Sequence, residues 1–140
     1  MHPDDQIDES VPAQLVELFA DGGDGRPLRV VACVCAGCGG RAFVVRLDDT
    51  EGAAERECAA CGARAFLADS GEYWDEAEPD EAECPCGGGE FEAAVAFTLG
   101  DDGTVRWVTV GLLCRRDAFA GVYTDWKIDY TPTDHLLTLV

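Results

Sequence analysis

The sequence predicts a small, mainly β fold made of two antiparallel modules preceded by one short helix. Three observations carry that expectation. A chain of 140 residues has room for one domain or two very small ones. Strand signals, short β-prone runs and stretches of period-two alternation, fill most of the chain outside its two acidic blocks. Eight cysteines offer a way to hold a body whose size limits how much apolar surface it can bury.

Residues 1–25 carry seven acids and no base, and form an acidic tail running into a helix. The run Ser10-Val11-Pro12-Ala13-Gln14-Leu15-Val16-Glu17-Leu18-Phe19 is helical in pattern, with Ser10 expected as its N-cap and Gly22-Gly23 as its stop. Residues 26–68 are nearly neutral and read as the first β module, with short strands over Leu28 to Val34 and Ala42 to Leu47. Residues 69–83 are strongly acidic, and Tyr73 and Trp74 are their only bulky apolar residues. This segment is expected to be a solvated linker, with a docking segment for a basic partner as the alternative.

Residues 84–140 read as the second module. Phe91 to Leu99 places Phe91, Val95, Phe97 and Leu99 on one face, and Gly100-Asp101-Asp102-Gly103 turns the chain into a strand from Thr104 to Cys114. A further strand, Val122 to Tyr130, is expected to put Val122, Thr124, Trp126, Ile128 and Tyr130 on one side and Tyr123, Asp125, Lys127 and Asp129 on the other. The tail from His135 to Val140 is expected to complete that sheet and to pack it against the first module. The aromatic residues Trp107, Tyr123, Trp126 and Tyr130 are read as core before ligand platform.

The cysteines are not scattered. Cys35-Ala36-Gly37-Cys38-Gly39 and Cys58-Ala59-Ala60-Cys61-Gly62 are separated by 19 residues, enough for a hairpin that returns the second pair to the first. Each C-x2-C turn presents two thiolates to one ion, and the following glycine tolerates the left-handed backbone that the turn requires. Four thiolates in a tetrahedron suit zinc, and iron is the less favoured metal. Over residues 29–67 the arrangement resembles the zinc-ribbon family, in which two such knuckles clamp a small antiparallel sheet. That family implies a fold and an ion but no common activity. A redox dithiol of the thioredoxin kind would instead need one motif at the head of a helix in a βαβ unit.

A second constellation follows, with Cys84-Pro85-Cys86-Gly87-Gly88 and, after 27 residues, Cys114-Arg115-Arg116-Asp117. The chain repeats itself here. Cys38-Gly39-Gly40-Arg41-Ala42-Phe43 aligns with Cys86-Gly87-Gly88-Gly89-Glu90-Phe91, and Cys58-x2-Cys61 aligns with Cys114-x2-Asp117. The second copy therefore has a shortened first knuckle and an aspartate where the last thiolate would stand. Carboxylate oxygen is an acceptable zinc ligand, so Cys84, Cys86, Cys114 and Asp117 form the second candidate site. His135, Cys33 or a water are rivals for its fourth position. Cys33 itself, in the run Val30-Val31-Ala32-Cys33-Val34, reads as a buried small hydrophobe. His135 reads as a surface histidine, and His2 as part of a mobile tail.

Composition narrows the functions. Against 28 acids there are 10 basic residues, for a formal net charge of −18, so phosphate backbones and anionic membranes are disfavoured as general partners. Arg41, Arg46, Arg56 and Arg64 offer a small basic face that five acids in the same segment blunt. The glycine run 87–89 precedes a strand and does not make a phosphate loop. Neither histidine lies in a nucleophile arrangement. Met1 to Asp5 lacks the basic and apolar regions of a secretory signal, and no apolar stretch reaches membrane-spanning length, so a cytoplasmic location with reduced thiols is expected. The leading expectation is a zinc-binding, non-catalytic interaction or adaptor protein whose partner is a protein, basic if the acidic blocks mediate docking. An acidic mimic of nucleic acid and a metalloenzyme using the second site are the alternatives.

Overall fold

The computed structural model describes residues 5–22 and 25–140, so His2 and Gly23 lie outside it. The chain is mainly β. In order it forms β1 (Gln6–Ile7), α1 (Ala13–Asp21), β2 (Leu28–Ala32), β3 (Phe43–Asp48), β4 (Ala53–Cys58), β5 (Arg64–Phe66) and α2 (Ser70–Tyr73). A 3-10 turn over Trp74–Glu76 leads to β6 (Asp80–Glu81), β7 (Phe91–Leu99), β8 (Val105–Cys114) and β9 (Ala120–Lys127), and a second 3-10 turn covers Asp134–Thr138.

These strands make one sheet with β7 at its centre. Along one edge β7 pairs with β8, which pairs in turn with β9. Along the other edge it pairs first with β2, from Leu28↔Thr98 to Ala32↔Ala94, and then with β3 through Phe43↔Phe91. From β3 the sheet continues to β4 and β5. It curls until β9 packs against β3 and β4.

The alternation in β7 explains why two cores form. Phe91, Val95, Phe97 and Leu99 point into the curl, where they meet Phe43, Val45, Val110, Leu112 and Ile128. The opposite face carries Ala94 and Ala96, small enough for α1 to lie on the sheet with Val11, Leu15 and Phe19. Gly111 of β8 completes that seat, since a Cβ there would stand 2.6 Å from Phe19 Cζ. Burying these side chains on both faces supplies the main apolar stabilisation of the body.

Several local expectations change. Helix α1 starts at Ala13 with Pro12 in the capping position and no side-chain cap. Pro12 suits that place because its φ is fixed and its missing N–H is not needed in the first turn. Ser10 instead donates its hydroxyl to Asp8 Oδ1 at 2.8 Å. The tail from His135 forms a 3-10 turn and not a strand. It packs on the first half, where Leu139 O accepts from Ala68 N at 2.6 Å and Val140 O accepts from Arg56 Nη2 at 2.8 Å.

The acidic segment 69–83 carries structure that a featureless linker would not. Asp69 is buried and accepts from Trp126 Nε1 at 3.0 Å and from the Tyr130 hydroxyl at 2.7 Å. Ser70, fully buried, donates to Leu67 O at 2.6 Å and accepts the Ala54 amide at 2.9 Å. Asp80 and Glu81 pair with β3. The acids from Glu72 to Glu83 are exposed, so solvation holds for those charges while the backbone beneath them is committed.

In β9 the expected two-sided alternation breaks. Thr124 lies opposite Val110, but Val122 lies opposite Gly111, which leaves Tyr123 as the extra residue of a bulge. Tyr123 therefore turns inward and meets Phe91 edge to face, with centroids 5.5 Å apart, while Val122 turns out to solvent. Trp126 and Ile128 stay buried, whereas Trp107 is 39% exposed. No helix among the described residues is long and apolar enough to cross a membrane.

Candidate metal centres

The four cysteines of the first cluster come from two turns that flank the β3–β4 hairpin. Cys35 and Cys38 lie in the turn after β2, Cys58 ends β4, and Cys61 lies in the turn before β5. Each turn is closed by its own backbone bond, Gly39 N–H to Cys35 O and Gly62 N–H to Cys58 O, both 2.8 Å. Cys35 Sγ stands 3.5 Å from Cys61 Sγ, and Cys38 Sγ 3.5 Å from Cys58 Sγ. A tetrahedron of thiolates about zinc, with bonds near 2.3 Å, has edges of about 3.8 Å. The four donor atoms all lie within 4.8 Å of one another, so they span a site of that size.

The second cluster is built the same way. Cys84 and Cys86 precede β7, Cys114 ends β8, and Asp117 lies in the turn before β9. Cys86 Sγ is 3.7 Å from Cys114 Sγ, and Cys84 Sγ is 3.5 and 3.7 Å from the Asp117 carboxylate oxygens. An edge between a sulfur and a carboxylate oxygen on one zinc ion is about 3.5 Å. Cys33 and His135 stay outside both clusters, Cys33 buried directly after β2 and His135 exposed in the C-terminal turn.

The repeat seen in the sequence is a repeat in space. Phe43 faces Cys58 across β3–β4, and Phe91 faces Cys114 across β7–β8. Cys58 N–H bonds Ala63 O at 2.8 Å, and Cys114 N–H bonds Phe119 O at 2.9 Å. After the fourth ligand position, Gly62 has φ 77° and Ala118 has φ 61°, so alanine occupies a left-handed conformation that glycine holds in the first copy. Cysteine spacing alone does not mark Ala118; its place directly after Asp117 is the signal that does.

In the first cluster the turn amides favour the anionic form of each turn's leading cysteine, while bonds to neighbouring sulfurs outweigh the amides at the second, raising Cys38 to about 12 and raising Cys61 as well. The amides of Cys38 and Gly37 hold the Cys35 thiol down to about 6. Those of Cys61 and Ala60 lower Cys58, and the Asp117 amide leads in lowering Cys114. Burial works against Cys84, pushing it up to about 12, and does the same to Cys33, which no knuckle serves. A bound cation would supply what Cys84 lacks, because metal coordination deprotonates a thiol outright. In each cluster two donors are buried and two exposed, and all four donor atoms belong to side chains.

The arginines of the first half do not gather into a phosphate site. Arg46 pairs with Glu55 and Glu57, at 3.5 and 3.1 Å, and Arg64 pairs with Glu57 at 3.0 Å. Arg41 stands 3.5 Å from Glu92. Arg56 is buried over the Phe43 ring, 4.9 Å from its centroid. Compared with known families, curated proteins and solved structures, the chain matches none of them. The two cysteine clusters can bind metal ions, and they are compatible with zinc-ribbon-like knuckles.

Proposed function

We infer that this chain holds two zinc ions as structural staples and acts as a non-catalytic interaction module for a protein partner. The observation that carries the reading is that each cluster brings four side-chain donor atoms within 4.8 Å of one another, as many as a closed structural zinc site uses, which favours a staple over a site with an open position for substrate. Three or four thiolates also donate enough charge to weaken the ion as a Lewis acid, which favours a staple over a catalyst. The ions join the ends of the hairpins, so they fix where β4, β5, β8 and β9 emerge from the turns. The exposed acids from Glu72 to Glu83 suit a basic partner surface by long-range attraction.

The test is native mass spectrometry of the full chain with and without chelator, joined to partner binding over a salt series. Two zinc ions per chain are expected, with thiols that resist modification until chelator is added. Asp117→Cys is expected to keep its ion and its stability. Partner affinity that does not change with salt would remove the acidic surface from the account. A catalytic turnover that Asp117→Cys abolishes while the ion stays bound would replace the interaction role with an enzymatic one.

A further inference from the structure

Beside α1, on the outer face of the sheet, lies a groove of about 700 Å³, within the range of small-molecule sites. Its floor follows from strand register. Leu28, Thr98, Trp107 and Lys127 are direct partners across β2, β7, β8 and β9, so they form one row on one face. The next row, Val30, Ala96, Thr109 and Asp125, runs beside it. Leu18 and Phe19 of α1 form a wall.

Its charge is opposite to that of the molecule. Among the described residues that line it, the charged ones are Arg26, Arg106 and Lys127 against one acid, Asp125, in a chain of net −18. Lys127 is the chain's only lysine, and its ammonium has no partner among the described residues. Arg106 pairs with Asp102 at 3.4 Å, an exposed contact that a ligand can outcompete. Trp107, next to Lys127 in the row, presents a half-exposed indole, unlike the buried Trp126.

We propose that this groove binds a small amphipathic anion, its planar apolar body against Trp107 and Leu28 and its acidic group at Lys127 and Arg106. An indole beside a cation suits a flat ring that carries negative charge at one end. A small ligand is favoured over an acidic chain because charges more than about 8–10 Å away are screened. A compact anion feels mainly the local cations, whereas an extended acidic peptide would run onto the anionic remainder of the surface.

The test titrates the full chain with 8-anilinonaphthalene-1-sulfonate, an aromatic anion, and with N-phenyl-1-naphthylamine, its uncharged counterpart. One saturable site is expected, about tenfold tighter for the sulfonate, which corresponds to about 1.4 kcal/mol. Lys127→Gln and Trp107→Ala are each expected to weaken sulfonate binding about tenfold, and added salt to weaken it further. Thr109→Glu, which adds a carboxylate to the floor, is expected to act like Lys127→Gln and guards against a folding defect in the tryptophan variant. Equal affinity for the two probes, or sulfonate binding unchanged in Lys127→Gln and Thr109→Glu, would overturn the proposal. A glutamate-rich peptide that binds more tightly than the sulfonate would also overturn it.

Discussion

Exchanging the residues that follow the fourth ligands, Ala118→Gly and Gly62→Ala, tests whether the two knuckles are structurally equivalent. Both positions lie in the left-handed region, at φ 61° and 77°. A β-carbon there costs about 1–2 kcal/mol. Glycine in turn loses more chain entropy on folding, about 0.5–1 kcal/mol relative to alanine. The difference leaves Ala118→Gly more stable by about 0.5–1 kcal/mol, and Gly62→Ala less stable by a similar amount. Nothing lies within 4 Å of a Cβ built at Gly62, so the cost there is conformational and not steric. With an unfolding entropy of about 2.1 cal/mol/K per residue, the midpoint should move by about 2–3 °C, upward for Ala118→Gly and downward for Gly62→Ala.

The same pair says when the turn forms. If the second knuckle folds only around its ion, the relieved strain appears as zinc affinity, about two- to fivefold tighter in a chelator competition. If the knuckle is already in place without metal, affinity stays fixed and the gain appears in the melting of the metal-free chain. A lower midpoint for Ala118→Gly, or no penalty for Gly62→Ala, would refute the equivalence.

Asp69→Ala removes an acceptor shared by Trp126 and Tyr130 and should cost about 3 kcal/mol in chemical denaturation, while exposed Glu72→Ala stays within about 0.5 kcal/mol. Gly111→Ala drives a methyl group into Phe19 and should cost about 1–3 kcal/mol, read from the same transition. Burial, aided by the bond to Asp69, raises the Tyr130 hydroxyl above its ordinary value of 10.0. Its contribution is therefore complete below about pH 10 and is lost as pH rises through the higher folded value. The melting temperature should fall above that pH, and Tyr130→Phe should flatten the fall.

Much of the fold was legible because period-two patterning is a local signal. Phe91 to Leu99 and the turn at 100–103 needed only their own side chains to be recognised. What escaped depends on long-range partners. The Ala94 and Ala96 face shows its purpose only when α1 lies on it, and Asp69 looks like one acid among many until Trp126 and Tyr130 arrive. Tyr123 changed sides because a bulge depends on the register with β8, which no single strand encodes. The cysteine clusters were legible from spacing and internal repetition, since the chemistry itself dictates how close the donors sit in sequence. The groove was not, because Leu28, Trp107 and Lys127 are neighbours only through the ladder.

The rung Phe43↔Phe91 sets equivalent residues of the two copies opposite each other in an antiparallel pair. A twofold rotation generates this arrangement, so the chain is organised there like an isologous dimer whose subunits have been tethered end to end. A single half would carry a self-complementary edge, and two such halves could meet as the fused ones do.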